Sequence, residues 1–92
     1  MKGREEKSLT DLELNEAVAR KLGLEIYPQT FIPPYSTSMA AAWEILDHHG
    51  DWDMRRQNRG YFKCILYLPS EEYEAEADTA PMAICQAFLK LP

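Results

Sequence analysis

The sequence predicts a single α+β domain in which three helices pack on a small, mainly antiparallel sheet of three to five strands. Three segments repeat apolar residues at helical spacing, near the beginning, the middle and the end of the chain. Between the second and the third, shorter segments alternate in the manner of strands and are joined by turns. The predicted order of the elements is α-β-(β)-α-β-β-β-α.

Length and charge limit the classes of protein that are possible. The 92 residues correspond to one domain. Residues 1–7 are mostly charged and carry little to bury, so we expect a flexible tail followed by one domain over residues 8–92. No apolar run approaches the ~18 residues of a membrane helix, and no signal peptide is apparent, which favours the cytoplasm. The net charge of −5 argues against a nucleic acid polymer as partner.

The first helix is predicted over residues 11–22. Thr10 and Glu13 have the spacing of a capping box, and Gly23 is expected to end the helix in the left-handed conformation. A short strand is expected at residues 24–27, and a further edge strand is possible at residues 30–32 within a proline-containing loop.

The second helix is expected to start near Ser36 or Thr37, either of which can cap it, and to stop at Gly50. Its apolar residues follow the i, i+3, i+4, i+7 pattern of one helix face. They are Met39, Ala42, Trp43 and Leu46. This pattern predicts that Trp43 belongs to the core.

A hairpin and an edge strand are predicted next. Residues 52–56 and 61–68 flank a turn at residues 57–60. Residues 72–77 alternate strictly between glutamate and apolar residues, which is typical of a half-exposed strand at a sheet edge. We expect its carboxylates to deter edge-to-edge aggregation; docking of a basic partner is the alternative. The last helix follows Asp78 or Thr79, with Pro81 in its first turn.

The two cysteines, Cys64 and Cys85, both lie within apolar runs. Free cysteines in such a setting are usually small buried hydrophobic residues, so we expect two reduced core thiols, with one disulfide as the alternative. The histidine pair His48 and His49 is adjacent on a helix, where the two side chains point about 100° apart. Because the two side chains do not share a helix face, no metal site is predicted. The sequence also has no nucleophile motif and no glycine-rich phosphate loop, so no cofactor or catalytic residue is predicted.

Three blocks of sequence carry a family resemblance: residues 11–23, residues 35–45 and residues 75–87. The second contains Ala-Ala-Trp-Glu, and the third contains Ala-Glu-Ala-Asp-Thr-Ala-Pro followed by Ala-Ile-Cys. Together they resemble the phage ABA sandwich domain family and, more loosely, the NinX-like phage proteins. The resemblance implies an α-β-α sandwich encoded by a phage or prophage and therefore located in a bacterial host. It implies no enzymatic activity.

Two groups of residues are candidates for binding. Arginine forks match phosphate oxygens, and aromatic rings stack on bases, so the arginine-rich turn with its neighbouring aromatic residues could hold a nucleotide-like ligand. The alternative is a solvated turn whose arginines pair with acids. The turn and its neighbours comprise Arg55, Arg56, Arg59, Trp52 and Tyr61. The second group is an exposed aromatic patch near the prolines, comprising Trp52, Tyr27, Phe31 and Tyr35.

The expected function is that of a non-enzymatic phage accessory protein. The first hypothesis is a protein-interaction module that acts on a host or phage protein through the aromatic patch. The alternative is a protein that binds or sequesters a nucleotide-like small molecule through Arg55, Arg56 and Arg59. A homodimer is plausible, because an edge strand and an alanine-rich helix face are both expected to be exposed.

Overall fold

A computed structural model describes residues 10–57 and 60–92 of the chain. Within them the helices are α1 (Asp11–Lys21), α2 (Met39–His49) and α3 (Ala80–Lys90), and the strands are β1 (Trp52–Arg56), β2 (Phe62–Leu68) and β3 (Glu71–Ala77). The order in the chain is α1, α2, β1, β2, β3, α3. This α+β arrangement confirms the predicted fold class. The expected tail at residues 1–7 lies outside the described residues.

The sheet is antiparallel throughout, with β2 between β1 and β3. Trp52 pairs with Leu66 and Arg56 with Phe62, and Leu66 pairs in turn with Tyr73 on β3. The glutamate-rich strand therefore lies at an edge of the sheet, as its alternation predicts.

The helices cover one face of the sheet. The side chains of β2 that join the core are those of Phe62, Cys64 and Leu66, together with Ala75 of β3. All four belong to the same alternating set, since side chains two residues apart share a face. Helix α3 contacts β2, β3 and both other helices. We call the opposite side, which carries Lys63 and Ile65, the open face.

Helix α1 is built as its sequence predicts. The backbone N–H of Glu13 donates to Thr10 Oγ1 at 3.1 Å, and the N–H of Thr10 donates to Glu13 Oε1 at 2.9 Å, which completes the capping box. At the other end Gly23 has φ +97°. Its N–H donates to the carbonyl of Arg20, and the next N–H donates to that of Ala19, which is a Schellman motif.

The strands expected at residues 24–27 and 30–32 are not formed. The N–H of Tyr27 donates to Thr30 Oγ1 at 2.8 Å, and the N–H of Thr30 donates to the Tyr27 carbonyl at 2.9 Å. A local turn across Pro28 and Gln29 thus occupies the groups that a ladder needs, and Pro28 has no N–H to offer. Ile26 alone of residues 24–27 packs against the core.

Helix α2 begins later than predicted and turns a different side to the core. Its N-cap is Ser38, whose Oγ accepts from the N–H of Ala41 at 3.2 Å. The buried residues of α2 are Ala41, Ala42, Ile45 and Leu46. Trp43 is 45% exposed, so its prediction as a core residue is wrong. The thin alanine side is buried in the core, which leaves Trp43 at the margin.

Helix α3 follows the prediction. Its N-cap is Thr79, and Pro81 lies in its first turn. Its C-terminal end is tied to α1, because Lys21 Nζ donates to the carbonyls of Leu89 and Leu91 and lies 5.6 Å from the centre of the Phe88 ring. A lysine in this position satisfies carbonyls that a helix end leaves without partners. No helix in the described ranges is long and apolar enough to cross a membrane.

Candidate interaction surface

Two tryptophans from different elements meet beside the core. The rings of Trp43 on α2 and Trp52 on β1 pack edge to face, with 5.4 Å between centroids and 77° between planes. Trp43 is 45% exposed, and Met39, one helical turn before it, is 39% exposed. Trp52 is half-buried and packs against the core. We call Met39, Trp43 and Trp52 the tryptophan patch.

The turn between α2 and β1 positions this patch. Gly50 ends α2 with φ +91°, a backbone conformation that residues other than glycine rarely adopt. The backbone then joins the sheet: the N–H of Tyr67 donates to the Asp51 carbonyl at 3.0 Å, and Trp52 pairs with Leu66. Because α2 and β1 are held this way, Trp52 is fixed against Trp43 and the patch is preformed.

Two aromatic residues of the proline-containing loop are exposed, as predicted. Phe31 is 79% exposed and Tyr27 is 55% exposed. The Tyr27 hydroxyl donates to Glu25 Oε1 at 2.6 Å, and this hydrogen bond raises the pKa of Tyr27.

Tyr35 is not part of any exposed patch. Its side chain is 1% exposed and belongs to the hydrophobic core, so its predicted place on a binding surface is corrected. Burial, followed by the nearby charge of Glu44, raises the pKa of Tyr35. The segment that carries Tyr35 passes over α1, where the N–H of Ser36 donates to Asn15 Oδ1.

The arginines of the predicted phosphate site diverge. Arg55 and Arg56 are neighbours in β1, so their side chains point to opposite faces of the sheet. Arg55 forms an ion pair with Asp53, with 3.1 Å between Arg55 Nη2 and Asp53 Oδ2. The Arg56 guanidinium lies 5.6 Å from the centre of the Phe62 ring. The third arginine, Arg59, lies outside the described residues.

The aromatic partners of that site are also separated. Trp52 begins β1, whereas Tyr61 precedes Phe62, which pairs with the last residue of β1. Four residues of strand span roughly 13 Å, so the two rings lie at opposite ends of the hairpin. Tyr61, 44% exposed, instead lines an open groove of about 490 Å³ beside Glu76 and Asp78. Nucleotide binding through Arg55, Arg56 and Arg59 stays a prediction.

Charged side chains on the open face of the sheet form ion pairs with one another. Lys63 Nζ lies 2.9 Å from Glu74 Oε1 and 3.8 Å from Glu76 Oε2. The hydrogen bond to Glu74 raises the pKa of Lys63. Ile65, paired with Asp53 and Glu74, is only 5% exposed. This face is thus charged, with one covered apolar residue at its centre.

The histidines and cysteines have separate structural surroundings. His49 Nε2 lies 2.8 Å from the Tyr67 carbonyl oxygen and must donate to it, because a carbonyl only accepts. The ring of His48 packs edge to face on Phe88, 6.2 Å between centroids. Cys64 and Cys85 are free and buried, which confirms the prediction of reduced core thiols. Residues 10–57 and 60–92 contain no group of three or more His, Cys, Asp or Glu side chains able to hold a metal.

The structure thus shows a small α+β sandwich whose clearest surface feature is an aromatic patch between a helix and a strand. The chain belongs to the phage ABA sandwich domain family, whose model matches residues 18–89. It is similar in structure to a phage protein from Bacillus cereus ATCC 14579, with a TM-score of 0.83 and 23% identity over 95% of this chain and 91% of that one. No curated protein matches the chain.

Sequence reasoning missed two residues of the tryptophan patch, Met39 and Trp43. The helical spacing that assigned them to the core also allows Ala41, Ala42, Ile45 and Leu46 to form the buried face. The signal that separates the two choices is the run of alanines, since a helix approaches its neighbours most closely on its thinnest side. Trp52 was identified from its place beside a turn.

Proposed function

We propose that this member of the phage ABA sandwich domain family is a non-enzymatic protein-interaction module that acts on a host or phage protein through the tryptophan patch. The observation that carries the proposal is the exposure of Trp43 and Met39 beside a Trp52 that is already held in place. Tryptophan is enriched among the residues that contribute most to protein–protein binding.

The preformed geometry of the patch favours binding. A tryptophan buries 150–250 Å² of surface in a complex, and fixing its rotamer on binding costs free energy. Trp43 already contacts Trp52, and Trp52 is anchored through its strand pairing with Leu66. Because part of the ordering has occurred in the free protein, more of the energy of apolar burial remains for the partner.

The thiols support a non-enzymatic role. Cysteine is the most nucleophilic type of side chain in the protein. Both cysteines, Cys64 and Cys85, are fully buried, and burial raises the pKa of each thiol to about 12. A reactive cysteine needs an accessible thiolate, so neither thiol is suited to attack a substrate.

The proposal is tested by site-specific photo-crosslinking in the bacterial host. The photoreactive residue p-benzoylphenylalanine replaces Trp43 in one version and Arg20, which is exposed on α1, in the control. Irradiation should give a discrete heavier species from position 43 that position 20 does not give. Adding Trp52→Ala to the position 43 version should reduce it. Failure to crosslink at position 43, or the same products from both positions, would contradict the proposal.

A further inference from the structure

The two outer strands of the sheet each leave one edge without a strand beside it. The order β1-β2-β3 gives β1 and β3 one outer edge each, and within residues 10–57 and 60–92 no further strand pairs with either of them. An unpaired edge presents backbone N–H and C=O groups to which a further strand can add. The two edges differ in how far they are protected against such addition.

The outer edge of β3 is protected. Lys90 on α3 donates to the backbone carbonyl of Glu74 at 2.7 Å, so part of this edge already has a partner. The side chains of Glu72, Glu74 and Glu76 share the open face of the sheet. If a second β3 paired with this one in antiparallel orientation around Glu74, glutamate would lie opposite glutamate along this face, and like charges in opposite positions destabilise a strand pair. The glutamate-rich edge is therefore poorly suited to a homodimer.

The free backbone groups of β1 belong to every second residue. Just before β1, the N–H of Tyr67 donates to the Asp51 carbonyl at 3.0 Å. Just after β1, the N–H of Gln57 donates to the Tyr61 carbonyl at 2.7 Å. Hydrogen-bonded and non-hydrogen-bonded pairs alternate along an antiparallel ladder, so the odd-numbered residues between these two bonds turn their N–H and C=O groups to β2 and the even-numbered residues turn theirs outward. The outward residues are Trp52, Met54 and Arg56.

The charges of β1 select one register for a second copy of the same strand. Asp53 and Arg55 share the open face, where they form an ion pair at 3.1 Å. If two β1 strands pair in antiparallel orientation around Met54, Asp53 of each copy lies opposite Arg55 of the other. Moving the two-fold axis by one residue, to Asp53 or to Arg55, instead places like charges opposite each other. The register around Met54 therefore joins the four charges in alternating sign.

The same register pairs the outward backbone groups and covers apolar side chains. It places Trp52 of each copy opposite Arg56 of the other, and Met54 opposite Met54, and all of these residues have free N–H and C=O groups. Trp52 and Met54 are half-buried and pack against the core, and a guanidinium can contact the face of a tryptophan ring. Exposed ion pairs contribute little affinity, so backbone hydrogen bonds and apolar burial supply the stability of this pairing and the charges supply its specificity.

We propose that the outer edge of β1 is a dimerisation surface whose occupant is β1 of a second copy, paired in antiparallel orientation around Met54. The two three-stranded sheets then join into one continuous sheet through a two-fold contact in which the same residues serve both copies. This inference goes beyond the proposed function and does not depend on it, because it concerns the backbone edge of β1 and not the exposed ring of Trp43.

Amide hydrogen exchange followed by NMR tests the pairing in the wild-type protein. The N–H groups of Trp52, Met54 and Arg56 should become more protected as the protein concentration is raised to about 1 mM, in step with a change from monomer to dimer in sedimentation velocity. Glu72 and Glu76, whose N–H groups lie on the other edge, should show no such dependence. A monomer over the whole range, or a dimer without protection at β1, overturns the proposal.

Charge reversal tests the register. Asp53→Arg and Arg55→Asp each place like charges opposite each other, so each variant alone should self-associate about tenfold more weakly than the wild type. An equimolar mixture of the two should associate again, because the facing charges are then opposite in sign. Each chain in the mixture still lacks its internal ion pair, so recovery assigns the effect to contact between copies.

Two further variants complete the test of the register. The double variant Asp53→Arg with Arg55→Asp should dimerise as the wild type does. Glu72→Arg, at an exposed residue of β3, makes the same change in net charge as Asp53→Arg and should leave association unchanged. Circular dichroism checks that every variant is folded. Wild-type association in both single variants, or no recovery in the mixture, overturns the proposed register.

Discussion

The side-chain carboxamide of Asn15 accepts a hydrogen bond from the backbone N–H of Ser36 at 2.9 Å, across twenty-one residues of sequence and with both groups buried. Ser36 Oγ also donates to Asp11 Oδ1 at 3.1 Å. These bonds join α1 to the loop that precedes α2.

Removing the Asn15 carboxamide should destabilise the protein. Asn15→Ala leaves the Ser36 N–H buried without its acceptor, which costs about 1–3 kcal/mol of unfolding free energy. Urea denaturation followed by circular dichroism measures the change. Arg20→Ala on the exposed side of the same helix is the control and should change stability by less than about 0.5 kcal/mol. Equal effects of the two substitutions would show that the loop is not held by this bond.

Tyr35 should behave as a core residue. Tyr35→Ala removes a buried ring and is expected to cost about 3–5 kcal/mol, whereas Tyr35→Phe keeps the ring and should retain most of the stability. Phe31→Ala, at a side chain that is 79% exposed, should cost less than about 0.5 kcal/mol. Thermal unfolding of the three variants distinguishes the cases. A mild effect of Tyr35→Ala would argue for a surface role instead.

The capping box should contribute measurably to α1. Thr10→Ala removes the acceptor of the Glu13 N–H and should cost about 1 kcal/mol, within the range for N-cap residues. Thr10→Ser keeps a hydroxyl at the same place and is the matched control. If serine and alanine destabilise equally in urea titrations, the hydroxyl is not the stabilising group.

The helix ends and the edge strand were predictable from the sequence, because residues within one short segment determine each of them. The capping box at Thr10 and the positive φ of Gly23 follow from neighbouring residues. The alternating glutamates of β3 likewise mark an exposed strand at the edge of the sheet. The strand expected at residues 24–27 failed because strand formation needs a partner, and the backbone of Tyr27 instead forms a local turn with Thr30.

The candidate site was predictable only in part, for the same reason. Trp52 was identified because it follows a turn, but the second half of the patch depends on which side of α2 faces α3. Arg55 and Arg56 form one group in the sequence, yet strand geometry places their side chains on opposite faces. The sequence shows which residues are close along the chain, and only the geometry of the sheet shows whether their side chains converge.

The buried thiols should make stability depend on pH in the alkaline range. Burial raises the pKa of Cys64 and Cys85 from about 9 to about 12. Below pH 8 both states keep their protons, so the thiols add no pH dependence. Between about pH 9 and 12 the unfolded chain releases thiol protons that the folded chain retains, and because the unfolded state then binds fewer protons, the unfolding free energy falls as pH rises. Each thiol contributes a slope of up to about 1.4 kcal/mol per pH unit.

Urea titrations at pH 8, 9 and 10 under reducing conditions measure this slope. Cys85→Ala removes one titrating group, so the variant should be less stable at pH 8 because of the cavity but should lose stability less steeply above pH 9. Cys64→Ala should behave in the same way. In the folded wild-type protein both thiols should react with a disulfide reagent far more slowly than in urea, since attack needs an accessible thiolate. Parallel pH profiles for the wild type and both variants, or rapid labelling of the folded protein, would show that the thiols are not protonated core residues.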